Sequence, residues 1–148
     1  MSFKHQLAAS AAFFCLAFIG GSALADDHPY TEGPVVTFSS LRTLDGKFED
    51  YMNWVDTKWK QDQEARKKIG DVLRYEVIRS QPRTPDDPDV ILVVYYKNWA
   101  ALDGALAKSD AISKLVDGSA AASDKAQAGR DSIRRIIGSS TMQVLNLK

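Results

Sequence analysis

Apolar and polar positions along this chain follow two periods, and the changes between them mark its elements. Pro34 to Leu41 (PVVTFSSL) is β-branched and aromatic, which predicts a strand, with Pro34 at its start where no ladder donor is lost. Phe48, Tyr51, Met52, Val55 and Trp59 then recur at i, i+3, i+4, i+7 and i+11. That is one apolar stripe of a helix from Asp45-Gly46 to about Ile69, ended by Gly70. Asp71 to Gln81 alternates and predicts a second strand, with Leu73, Tyr75 and Val77 on one face. Its other face carries Val72, Arg74, Glu76 and Ile78, and is half polar, as suits an edge. After a loop with three prolines, Asp89 to Lys97 is apolar on both faces, the mark of a central strand. Asn98 can cap a short helix from Trp99 to about Lys108, and Ser109-Asp110 a longer one carrying Ile112, Leu115 and Val116. Helix resumes through Ile133, Ile136 and Ile137 to Gly138, and Thr141 to Leu147 is a last strand.

The order β-α-β-β-α-β predicts an α+β, ferredoxin-like fold: an antiparallel sheet with two helices on one face. In that topology the first and third strands are central, in agreement with the apolar run from Asp89. Two helices cover only one face of that strand. A second copy of the sheet is the simplest cover for the other, which predicts a homodimer.

The N-terminus changes the picture of where the domain works. Met1 to His5 carries one firm positive charge, Leu7 to Ile19 carries none, and Ala23-Leu24-Ala25 is an A-x-A cleavage site. These are the three parts of a signal peptide, and the apolar run is too short to span a bilayer. The protein is expected to be exported, periplasmic or secreted, with no stable membrane anchor after cleavage. Cys15 follows Phe14 rather than a small residue, which argues against a lipoprotein. Cleavage after residue 25 of 148 leaves 123 residues without cysteine, so the mature protein has neither disulfides nor thiolate chemistry. The division is then a signal peptide over 1–25, a loose leader over 26–33 and one domain over 34–148.

Charge and composition exclude more than they assign. Without Lys4, 18 basic residues face 19 acidic ones, and no basic surplus points to nucleic acid. One mature histidine, His28, and no cysteine leave no zinc pattern and no expected metal or cofactor. Asp86, Asp87 and Asp89 lack the glycine and bidentate glutamate of a calcium loop and read as a solvated turn. No nucleotide-binding fingerprint or nucleophile elbow occurs.

The βαββαβ pattern with the stretch Val93–Val116 (VVYYKNWAALDGALAKSDAISKLV) resembles the dimeric α+β barrel superfamily over roughly Pro34 to Leu147. That superfamily includes antibiotic-biosynthesis-type monooxygenases and haem-degrading enzymes. The segment from Trp99 through Lys108-Ser109-Asp110 is similar to the one carrying catalytic residues in the haem-degrading members. They place a tryptophan three residues before that serine and a histidine seven after it, where this chain has Leu106 and Val116. Their first-strand asparagine is missing too. The resemblance thus implies the scaffold, and the residues contradict the haem chemistry.

Candidate pocket residues are aromatic: Tyr51, Trp54, Trp59, Tyr75, Tyr95, Tyr96 and Trp99. On the helix stripe, Tyr51 and Trp59 also suit plain core packing. Trp54 lies roughly 120° from the stripe centre at ~100° per residue, which implies a contact outside the helix–sheet core, either a partner surface or a pocket wall, with simple surface exposure as the alternative. Polar candidates are Arg74, Glu76 and Arg79, which could line a pocket or pair across an exposed edge. Arg130 and Arg134, read as i, i+4 on the last helix, could clamp an anion or face solvent.

Three functions fit: a dimeric barrel binding a small, partly apolar molecule; a cofactor-independent monooxygenase or isomerase on an aromatic or polyketide-like substrate; or an interaction module acting through its dimer surface. An enzyme calls for a closed cavity holding a titratable group of shifted pKa, and a binding protein for a cavity without one. Haem is the sharpest exclusion, because its iron needs an axial ligand and the matching helix position holds valine. Haemin titrated into the mature protein should give no saturable, sharp Soret shift. One haem bound per chain, abolished by His28→Ala, would overturn the exclusion.

Overall fold

The computed structural model describes residues 28–148, so the expected signal peptide, its expected cleavage site and Cys15 lie outside the described residues. Four strands form one antiparallel sheet: β1 (Tyr30–Thr43), β2 (Arg74–Arg79), β3 (Val90–Tyr96) and β4 (Arg134–Leu147), in the order β2-β3-β1-β4. This is the ferredoxin-like arrangement, with β1 and β3 central, and the fold class is α+β. Helical segments α1 (Phe48–Trp54) and α2 (Lys60–Lys68) are joined by a π-helical turn, Val55–Trp59. A 3₁₀ turn at Trp99–Leu102 precedes α3 (Ala105–Val116) and α4 (Ala120–Arg130). No helix among the described residues is long and apolar enough to cross a membrane.

The core lies between one face of the sheet and the helices. Leu41, Val90 and Leu92 meet Tyr51 and Val55 from the first helix, with Phe48, Met52, Trp54, Trp59 and Ile133 packed around them. Ile112 of α3 and Val35 of β1 are fully buried as well. An ionic network ties the helices to β2. Asp71, buried ahead of β2, pairs with Arg66 of α2 at 3.3 Å and Lys108 of α3 at 3.0 Å, and Arg66 also holds Asp62 at 3.1 Å.

Three sequence readings are corrected. Residues 30–33 are no loose leader. They belong to β1, where Tyr30, Thr31 and Glu32 pair with Leu147, Asn146 and Leu145. Pro34 suggested a strand start because it cannot donate to a ladder. Instead the register skips from Glu32 to Val35, and Gly33 and Pro34 occupy a bulge that needs no donor. Gly33 also fits because a Cβ there would lie 2.9 Å from the Val144 carbonyl oxygen.

Ile136, Ile137 and Gly138 are strand, not helix, since β4 begins at Arg134. A short apolar run at that spacing fits either period, and its β-branched residues favour the strand. Ser109-Asp110 starts nothing: Trp99–Leu102 is a single 3₁₀ turn, and α3 already runs from Ala105. The break comes later, at Gly118, whose φ of +82° suits glycine. Ser119 then caps α4, its Oγ accepting from the Ala122 N–H at 3.1 Å.

Candidate functional site

The π-turn decides what the first helix presents. Five residues along an α-helix turn through about 500°, which would set Trp54 and Trp59 roughly 140° apart. A π-turn closes its hydrogen bonds between residues five apart, which brings such positions to the same side. Trp54 and Trp59 flank this turn and line the same two adjoining cavities. Trp54 also stacks on Tyr51 at 5.7 Å between ring centroids and packs against the core. The sequence placed Trp54 off the stripe with a contact outside the helix–sheet core; instead its ring packs against that core while also lining the cavities.

One cavity, of about 240 Å³, lies between the helices and the β1–β4 half of the sheet. Tyr51, Trp54, Trp59, Leu41 and Leu92 supply its apolar walls, and Arg130 and Arg134 its charge. Ser39, Ser139 and the exposed Ile136 line it toward β4, where it opens. The second cavity, about 190 Å³, shares Trp54, Trp59 and Arg130 and reaches α3 at Ser109, Ser113 and Val116. Its acids are committed: Asp62 to Arg66 at 3.1 Å, and Asp117 to Lys58 at 3.4 Å.

The two arginines come from different elements. Arg130 ends α4, and Arg134 opens β4 opposite Thr43, so the reading of both on one helix is corrected. Arg130 lays its guanidinium 4.4 Å over the Trp54 ring. Burial lowers its pKa, and the nearby Arg134 charge adds to that. Burial raises Asp62, against the opposing pull of Arg66. Tyr51, fully buried, is pushed up to about 12 by desolvation, which outweighs the opposing pull of Arg134 and Arg130. At neutral pH its hydroxyl therefore stays a donor.

The other candidates do not gather here. Tyr75 packs edge-on to Trp59 at 5.2 Å but spends its hydroxyl on Glu64 at 2.6 Å, a bond that raises its pKa to about 12. Tyr96 faces the helices outside either cavity, and burial raises its pKa. Tyr95 lies on the opposite sheet face, with Arg74 3.5 Å above its ring and its hydroxyl on Glu76 at 3.4 Å. Arg74 and Glu76 pair with each other, and Arg79 covers Phe48 at 4.8 Å. Trp99 is 49% exposed and donates its indole N–H to Gln143 at 2.9 Å. Leu106, at the haem-enzyme tryptophan position, is exposed, while Val116 lines the smaller cavity.

His28 stacks on Tyr30 at 5.2 Å, beside the end of the sheet. In the proline loop, Asp87 accepts backbone N–H bonds from Arg83 and Thr84 at 2.8 Å each, which lowers its pKa. Asp89 is held by the Thr43 N–H at 2.9 Å and by the Thr43 hydroxyl. No group of three or more potential metal ligands gathers among the described residues. Sequence reasoning missed Leu41, Leu92 and the serines of β1 and β4 as cavity walls. Only correct strand bounds for β4 would have placed the last of these.

Fold and cleft together define a small ferredoxin-like α+β protein with an open, tryptophan-walled cavity beside its helix layer. No family profile matches the chain, and no curated protein matches it. Among solved structures it is similar to HapK from Hahella chejuensis, with 13% identity over 73% of this chain and 90% of that one, at a TM-score of 0.49. It is also similar to protein SO0527 from Shewanella oneidensis, with 21% identity over 79% of this chain and 96% of that one, again at 0.49.

The tyrosine shift has a measurable sign. The unfolded state ionises Tyr51 near pH 10 and the folded state only at about 12. Its neutral form thus contributes stability that is complete below pH 10 and lost as pH rises through 12, about 3 kcal/mol in all. Tyrosinate absorbance read within seconds of a pH jump should show a late-titrating class. Tyr51→Phe should remove one residue from it. Loss of a residue titrating near 10 would contradict the assignment.

Proposed function

We propose that this chain is an exported protein of the dimeric α+β barrel type that binds a small, partly apolar molecule in the cleft between its helices and β1–β4. The observation that carries this reading is the pairing of Trp54 and Trp59 on one cavity wall by the π-turn. Both indoles pack against the core and also line the cavity, and aromatic walls with a few polar groups are the usual make-up of a ligand site. A cavity of 150 Å³ is enough for benzene, so about 240 Å³ admits a one- or two-ring body. The cavities do hold groups of shifted pKa, but they are open rather than closed, Tyr51 is shifted away from neutrality and Asp62 is engaged by Arg66, which favours binding over acid–base catalysis. Naphthalene-2-methanol, a neutral two-ring probe, should bind in calorimetry with about one site per chain. Trp54→Ala should weaken it about tenfold, the loss of one aromatic contact. No heat and no competition at millimolar probe would sink the reading.

The face of the sheet turned from the helices supports assembly with a second copy. Phe38, Ile91 and Tyr95 are half-buried around Val36 and Val93, which are already buried, and this uncharged centre has exposed Ile78 and Met142 at its flanks. The charges of Arg74 and Glu76 are already paired at the margin, so stacking two such faces leaves no lone charge buried at the centre. Protein from the native host should have the mass of a chain starting at Asp26 and sediment as a dimer at micromolar concentration. A monomer would count against the barrel, and a retained leader against export.

A further inference from the structure

We infer that Arg130 and Arg134 form a two-guanidinium clamp for the carboxylate of an aromatic acid held between Trp54, Trp59 and Tyr51. This deepens the ligand-binding reading above and rests on it. Arg134 is 5% exposed, so its side chain is withdrawn from water. Among the described residues its guanidinium has no ion pair and no hydrogen-bond partner, and its Nη1 is sealed from solvent. The Nε of Arg130 is likewise buried without a partner. A buried guanidinium normally sits on a carboxylate, because the cost of removing it from water is otherwise uncompensated.

The carboxylates that could compensate are engaged elsewhere. Asp62 holds Arg66, Asp117 holds Lys58, and Asp89 is bonded to the backbone and hydroxyl of Thr43, while Asp131, whose charge also acts on Arg130, is exposed and lines neither cavity. The cavity therefore carries two positive charges and no acceptor of matching charge. A planar carboxylate satisfies that excess charge, since guanidinium forks match its two oxygens. Two cations suit a monoanion, and the indole walls with Leu41 and Leu92 select an aromatic or otherwise flat apolar body for it. Arg130 already lies over the Trp54 ring, which fixes its plane and lowers the entropy lost when it grips a ligand.

The test compares 2-naphthoate with naphthalene-2-methanol, equal in shape and different in charge, by calorimetry on the mature protein. The carboxylate should bind at least about tenfold tighter, the worth of one charge-assisted hydrogen bond. Arg134→Met should abolish that preference and leave the neutral probe bound. It should also leave the ligand-free melting temperature unchanged or raised, because it removes a buried charge that nothing pairs. Arg130→Met should reduce the preference by a smaller factor. Equal binding of both probes to the wild-type protein would overturn the clamp and leave the cleft as a neutral site. Binding of neither would overturn the ligand-binding reading and the clamp with it. An Arg134→Met variant that unfolds would show the guanidinium to be a structural ion and overturn the inference too.

Discussion

The rest of the molecule hangs on the antiparallel ladder between β1 and β4. Both strands are 14 residues long, and β1 also carries β3 on its other edge. A ladder this long has to absorb twist, and it does so at two irregularities, one after Glu32 and one at Ser40–Leu41. The second sets Ile136 opposite Leu41 and Arg134 opposite Thr43. Period-two alternation then puts both side chains on the helix face. Without that one-residue adjustment the register would turn Arg134 to the other side of the sheet, and the cavity would lose its charge.

The helix layer makes the complementary adjustment. A single π-turn inside an otherwise α-helical segment rotates everything after it, so Val55 stays in the core while Trp54 and Trp59 share a wall. π-turns are rare and costly, since they widen the helix and weaken its packing along the axis. Here the widened turn lies beside a cleft rather than inside a closed core. The bulge in β4 and the π-turn in the helix face each other across the same space, each aiming a side chain that regular geometry would direct elsewhere.

Most of the fold was legible because its signals are periodic. The stripe Phe48–Trp59, the alternation of Tyr75 and Val77, and the doubly apolar Val90–Tyr96 each follow from burial on one or two faces, and the element order followed from them. What failed was aperiodic. Pro34 looked like a boundary because the chain alone does not reveal a bulge that excuses a missing donor. Ile133, Ile136 and Ile137 look helical by spacing, and only the pairing partner in β1 distinguishes them. Among candidate residues, Tyr51, Trp54 and Trp59 were singled out by asking which aromatics sit on or off a stripe. Tyr75, Tyr95, Tyr96 and Trp99 are spent on local contacts that side-chain type does not announce. Arg130 and Arg134 were noticed together for the wrong reason, as helical neighbours, whereas chain reversal after α4 is what unites them.

Beyond Val35 the sheet changes character. β3 pairs with β1 only from Val35 to Leu41, so Tyr30–Glu32 and Leu145–Leu147 form a two-stranded ribbon past the end of the four-stranded region. A ribbon of two strands has little free energy of its own in water. Among the described residues its amides are protected by one neighbour rather than two, and Leu145 and Leu147 are exposed upon it. The Gly33–Pro34 irregularity separates it from the ladder that encloses the core. The ribbon can therefore fray as a unit, at a cost well below that of global unfolding, without disturbing the cleft. The molecule has a rigid half that carries its chemistry and a loosely coupled tip where exchange with solvent, and cleavage by proteases, would begin.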